Sequence, residues 1–162
     1  MRRILIIDPE KCTGCRMCEM YCSLRHTDTC NPVRSRVNIL KWDELGIMVP
    51  VMCQHCREPV CALVCPVNAI KKDEKTGLVA TDPDLCISCL MCTIACPLGG
   101  PSLDPVNGEV IRCDLCLGEE PICAQVCPTG AIKSVTMDRV GLAKRREAIE
   151  ALSKLMGHVK IL

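Results

Sequence analysis

Phenylalanine is absent from this chain of 162 residues, and Tyr21 and Trp42 are its only aromatics. Large rings carry much of the buried area of an ordinary core, so something else must fill the interior. No apolar run approaches the ~18 residues of a membrane span. Met1-Arg2-Arg3 opens like a twin-arginine signal, but "ILII" gives only four apolar residues before Asp8-Pro9, where an export signal needs roughly 7 to 15. The chain is therefore expected in the cytoplasm, with no export signal of its own and no membrane segment. Its net charge of +1 lacks the strongly basic character of a dedicated nucleic-acid binder, so no nucleic acid is expected as a partner.

Cysteine is what the chain has in excess, with 17 residues. That density usually marks a secreted disulfide scaffold. Without an export signal, the thiols read instead as metal ligands in a reducing compartment. Sixteen of them form four cassettes that each end in C-x3-C. Cys12, Cys15, Cys18 and Cys22 have spacing x2, x2, x3, and Cys86, Cys89, Cys92 and Cys96 repeat it 74 positions later, each led in by Asp-Pro. Cys53, Cys56, Cys61 and Cys65 have spacing x2, x4, x3, and Cys113, Cys116, Cys123 and Cys127 have x2, x6, x3. The last two share Pro59 or Pro121 before the third cysteine, and the tails "CPVNAI" and "CPTGAI". The chain reads as internally duplicated.

The connections are short. "RVNILKW" and "GIMVPVM" read as two strands, and "AIKKDEKTGLVATD" as a hairpin turning at Lys75-Thr76-Gly77. "ILIID" and "EVIRC" read as further strands, each C-x3-C as one turn of a short helix, and residues 96–110 as a loop rich in Pro and Gly. From Asp138, Leu142, Ile149, Leu152, Leu155 and Met156 recur at helical spacing with Lys and Arg opposite, which predicts an amphipathic helix ended by Gly157.

Disulfides have no use for a repeated triplet at x2, x2 spacing. Structural zinc favours two C-x2-4-C knuckles separated by a longer loop; in two cassettes the third cysteine follows too closely for that, and zinc stays as the alternative. A [4Fe–4S] cube needs thiolates at corners several ångströms apart. The bacterial ferredoxin run C-x2-C-x2-C-x3-C-P supplies three from one tight loop and sends its fourth cysteine to a second cluster.

With these cassettes, the signature "CQHCREPVCALVCP" (residues 53–66) and "RCDLC" (residues 112–116), residues 4–135 resemble the four-cluster, ferredoxin-like subunits of molybdenum and tungsten pterin oxidoreductases. The resemblance implies an α+β protein of two ferredoxin-like modules with short helices and β-hairpins around four [4Fe–4S] clusters. Residues 1–48 and 107–137 would form an outer module, 49–106 a nested one, and 138–162 the terminal helix. It implies that Cys12, Cys15, Cys18 and Cys127 hold cluster one, and Cys113, Cys116, Cys123 and Cys22 hold cluster two. Cys53, Cys56, Cys61 and Cys96 would hold cluster three, and Cys86, Cys89, Cys92 and Cys65 cluster four. "CPLGG" after Cys96 and Ser23 in place of proline after Cys22 depart from the sister cassettes.

The same resemblance implies a non-catalytic relay between a large catalytic subunit with a tungsten or molybdenum pterin and ferredoxin or another acceptor. The short connections are most similar to the subunits of tungsten-containing aldehyde oxidoreductases or the related tungsten benzoyl-CoA reductases of anaerobes. A free soluble polyferredoxin, or a subunit of a hydrogenase, formate dehydrogenase or carbon monoxide dehydrogenase, is the alternative. Lys11 and Arg16 beside cluster one, against Ile87, Ser88, Leu90 and Met91 around cluster four, predict a higher potential for cluster one. Cys30 reads as a spare thiol, His26 and His55 as neighbours of ligands or surface groups, Met17, Met20 and Met91 as soft packing, and Tyr21 and Trp42 as core.

Overall fold

The computed structural model describes residues 3–156. The apolar run near the start forms β1 (Arg3–Ile7), which pairs antiparallel with β8 (Ile132–Thr136), Ile7 opposite Ile132 and Arg3 opposite Thr136. β8 follows the fourth cassette, so this pairing joins the first cassette to the last. Three more antiparallel pairs complete the strands. They are β2 (Val37–Trp42) with β3 (Ile47–Met52), β4 (Ile70–Lys72) with β5 (Val79–Thr81), and β6 (Ser102–Leu103) with β7 (Val110–Ile111). β6 lies within the stretch read as loop. Two residues between Pro101 and Asp104 are too short for a periodic signal, and the partner strand decides their conformation.

Each C-x3-C begins in a helix. α2 (Val60–Leu63), α3 (Met91–Ile94) and α4 (Ile122–Gln125) are single turns. The proline after the last cysteine stops them, because it disfavours the helical conformation of the residue before it. In the first cassette Ser23 stands where that proline would be, and α1 (Met17–Thr27) continues for eleven residues. Ser23 Oγ donates to the Met20 carbonyl at 2.8 Å and accepts from Asn31 N–H at 3.1 Å, which folds the following segment back onto the helix. The tail helix α5 runs Val140–Met156, with Leu142 and Ile149 exposed; the expected stop at Gly157 lies outside the described residues. No helix among the described residues is long and apolar enough to cross a membrane.

Two small cores result. Leu5, Val37, Ile39, Met52, Leu115 and Ile132 pack with Cys18, Cys22 and Cys123, while Ile70, Val79 and Val110 pack with Cys61 and Cys92. Neither contains an aromatic ring. Tyr21 and Trp42 are exposed, against the expectation of core: Tyr21 lies on α1 at the margin of the face that buries Cys18 and Cys22, and Trp42 lies beside the β2–β3 turn. Thiols take the interior places that rings would fill. Arg34 grips the buried carboxylate of Asp104 through Nε at 3.1 and 2.9 Å, tying the segment before β2 to the β6–β7 hairpin.

Candidate iron–sulfur sites

All four cassettes share one backbone device. The residue two past the first cysteine is left-handed in each: Gly14 at φ 65°, His55 at 48°, Ser88 at 51° and Leu115 at 52°. For a residue with a Cβ this costs about 1–2 kcal/mol, and such strain persists where surrounding structure enforces it. The bend turns successive N–H groups to one side, the geometry of an anion-binding nest. A second left-handed residue, Arg16, Leu90 or Leu117, follows the second cysteine in three of the cassettes. The third cysteine of each is then buried on its helix.

The tail of the cassette repeats as well. Asn68, Gly99 and Gly130, three residues past the last cysteine, are all left-handed. The next N–H donates back to sulfur, Ala69 to Cys65 Sγ and Gly100 to Cys96 Sγ, both at 3.3 Å. "CPLGG" thus makes the same turn as its sisters. Its second glycine is needed because a Cβ there would stand 2.7 Å from the Cα of Cys53. At Cys127, burial would raise the thiol's pKa, but the N–H groups of Ile132, Ala131 and Thr129 bring it below its ordinary value. Cys22 has no such turn after it; Arg36 N–H reaches its Sγ at 3.4 Å from across the chain.

The thiols converge across cassettes. Cys12, Cys15 and Cys18 line one small cavity together with Cys127, and Cys86, Cys89 and Cys92 line another with Cys65. Burial raises the pKa of the Cys123 thiol, and Cys113, Cys22, Cys116 and Cys18 all add to that shift; Cys18 and Cys22 pack with Cys123 in one core, and Cys113 lies against it. Burial raises the Cys53 thiol's pKa, with Cys61 and Cys56 adding to the shift, and Gly100, whose N–H donates to Cys96 Sγ, lies against the Cys53 backbone. Burial pushes the thiols of Cys18 and Cys113 up to about 12, Cys18 with help from the adjacent Glu19 carboxylate. Such thiols are protonated near neutral pH until a metal displaces the proton. Four soft sulfur donors around each space, with N–H groups aimed at sulfur, fit an iron–sulfur cluster.

The polar surroundings hold what the sequence did not disclose. Glu19 is buried beside Cys18, accepting from Ile39 N–H at 2.6 Å and pairing with Arg16 at 2.5 Å, while Lys11 pairs with Asp8 at 2.5 Å. The two cations expected to raise the potential of cluster one thus each have a carboxylate partner. His26 Nδ1 donates to the Cys22 carbonyl at 2.8 Å and lies 3.7 Å from Cys22 Sγ, and Nε2 lies 3.1 Å from Asp114 Oδ1, which also places it by Cys116. Asp114 pairs in addition with Arg36. The Asp114 carboxylate and Cys22 push the His26 imidazole up to about 10. Burial works against the charged carboxylate of Asp114, but His26 and Arg36 hold it at about 2. Val79 N–H donates to His55 Nδ1 at 3.0 Å. Cys30 is exposed. Asp114 and Arg112 sit within "RCDLC" and Glu19 within C-x3-C; a charged residue inside a ligand cassette was the available signal.

Residues 45–137 match the model of the 4Fe-4S dicluster domain, and residues 5–23 that of the 4Fe-4S binding domain. The polyferredoxin-like subunit of the aliphatic sulfonate oxidoreductase of Pyrococcus furiosus is 41% identical over 82% of this chain and 77% of its own length. One subunit of the anaerobic dimethyl sulfoxide reductase of Escherichia coli is 32% identical over 92% of this chain and 80% of its own length. Among solved structures, a subunit of the BamBC active-site complex of benzoyl coenzyme A reductase with 1,5 dienoyl-CoA is 27% identical, with TM-score 0.50 over 96% of this chain and 91% of that one.

Proposed function

The chain belongs to the 4Fe–4S dicluster ferredoxin family, and from that premise we propose that it carries four [4Fe–4S] clusters on sixteen cysteines and relays electrons for a tungsten or molybdenum pterin enzyme. It is an iron–sulfur electron-transfer subunit of an oxidoreductase complex and is not itself catalytic. The ligand sets proposed are Cys12, Cys15, Cys18 with Cys127; Cys113, Cys116, Cys123 with Cys22; Cys53, Cys56, Cys61 with Cys96; and Cys86, Cys89, Cys92 with Cys65. The observation that carries the first and last of these sets is a cavity lined by three thiols of one cassette and the last thiol of another; the other two sets follow the same pattern. The clusters would supply one-electron exchange. The chain's own residues hold the sulfurs apart, donate N–H groups to them and keep water from the third cysteine of each set.

An outer module and a nested one follow from this ligation; the expected boundary at residue 48 moves past β3, giving 1–52 with 107–137 against 53–106, because Met52 packs in the first core. The partner is proposed to be a large catalytic subunit of the aldehyde oxidoreductase type, with ferredoxin or a similar protein at the other end, in the cytoplasm, where so many thiols stay reduced. The exposed tips of α2 and α3, Leu63 and Ile94, give an apolar surface for that subunit to cover. At the corresponding places the outer module has Gln125 and Met20.

Iron and acid-labile sulfide analysis of anaerobically purified protein tests the ligation, with about sixteen of each expected, four per [4Fe–4S] cluster. Colourless protein holding about one zinc per cassette would overturn it. Co-purification of a large subunit and analysis of its metal tests the partner; tungsten or molybdenum is expected, and a lone soluble chain would leave a free polyferredoxin.

A further inference from the structure

Arg112 is 5% exposed, and its guanidinium is not matched by a carboxylate among the described residues. Nη1 donates to Cys61 Sγ at 3.4 Å, while Nε and Nη2 have no hydrogen-bond partner among the described residues. A buried cation left with two unused donors carries a large desolvation cost unless negative charge lies close by. Cys92 packs in the same small core as Cys61, the thiol that Arg112 touches, and the guanidinium opposes the upward shift that burial gives the thiols of Cys53 and Cys92. These belong to two different ligand sets, Cys53 and Cys61 to cluster three and Cys92 to cluster four. The residue after Arg112 is Cys113, of cluster two, so backbone and side chain serve different sites. The cations near cluster one have carboxylate partners; this one has thiolates.

We propose that Arg112 is the internal counter-ion shared by clusters three and four, a tuning residue that raises their reduction potentials, cluster three the more because it receives the hydrogen bond. The inference rests on the ligand sets proposed above. Reduction adds one electron and one negative charge, supplied by the reductant, and a fixed guanidinium favours the more negative form; hydrogen bonds to sulfur act in the same direction. The nested module then holds electrons more readily than its apolar loops suggest. The order of potentials read from Lys11 and Arg16 reverses, with cluster three above cluster one.

EPR-monitored redox titration of the full chain, reduced with dithionite, tests this in wild type, Arg112→Gln and Arg112→Lys, with Cys18→Ser, which alters a proposed ligand, marking the signal of cluster one. Arg112→Gln is expected to move two of the four waves downward, one more than the other, and neither of them the wave that Cys18→Ser removes or alters. Arg112→Lys keeps the charge without the planar fork and is expected to restore most of the smaller shift and part of the larger. Unmoved waves, a shift shared equally by all four, or a lysine variant as low as the glutamine variant would overturn the proposal. Loss of iron from both variants would assign Arg112 to folding alone and overturn it as well. Wild-type protein short of sixteen irons would instead count against the ligand sets.

Discussion

A Cβ on Gly100 would stand 2.7 Å from the Cα of Cys53, across a gap of nearly fifty residues. Gly100 donates its N–H to Cys96 while its bare Cα lies against the backbone of Cys53, so one glycine brings two proposed ligands of cluster three together. Gly100→Ala is expected to cost about 1–3 kcal/mol, the usual penalty of overpacking, and to lower iron content by up to one cluster. Gly141→Ala, in open space on α5, is expected to gain roughly 0.5–1 kcal/mol from helix propensity with no iron lost. Thermal melts with iron analysis check both.

Cys22 packs in one core with Cys123, against which Cys113 lies, accepts from Arg36 N–H, and is the proposed fourth ligand of their cluster. Cys22→Ser and Cys18→Ser, although only four residues apart, are thus expected to abolish or alter different EPR signals. If the two variants lose the same signal, the first cassette is a self-contained site.

The His26–Asp114 pair predicts a pH dependence. His26 has a pKa of about 10 in the folded chain against 6.5 ordinarily, so its contribution is complete below about pH 6.5 and fades as pH rises towards 10. Asp114, at about 2 against 3.8, contributes fully above about pH 3.8 and loses its contribution as pH falls through 2. His26→Gln should cost on the order of 1.5–3 kcal/mol, as for a hydrogen bond to a charged group, between about pH 4 and 6.5. The difference from wild type should narrow by pH 10. Melting followed through the visible cluster absorbance across that range checks it; a gap constant with pH would refute the pairing.

Leu63 and Ile94 are 82% and 80% exposed. Leu63→Glu with Ile94→Glu is expected to leave iron content intact and to abolish co-purification of the large subunit. Gln125→Glu, at the corresponding place in the outer module, is expected to change neither. Retention of the large subunit by the double variant would place its interface elsewhere.

How far the chain was legible varies with the distance over which each feature is decided. "CPVNAI" and "CPTGAI" announce their turns because proline, a left-handed Asn or Gly and the returning N–H all lie within five residues. "CPLGG" looked like a departure only because the reason for its second glycine, Cys53, belongs to another cassette. α1 outran the expected single turn because Ser23 removes the proline stop and Asn31 then bonds its hydroxyl.

By itself the sequence determined the kind of ligand, the four-fold repeat of the cassette and the proline stops of α2, α3 and α4, since covalent spacing and local backbone chemistry decide these. Only the tertiary structure decided which charges have partners. Arg112, in "RCDLC", is buried against a thiol of a nested cassette with no carboxylate partner among the described residues, whereas Arg16 and Lys11 pair locally with Glu19 and Asp8, three residues away in the chain. Tyr21 and Trp42 were likewise left outside by the packing of thiols within. A charge acts through space and through the solvent around it, and residues far apart in the chain set both.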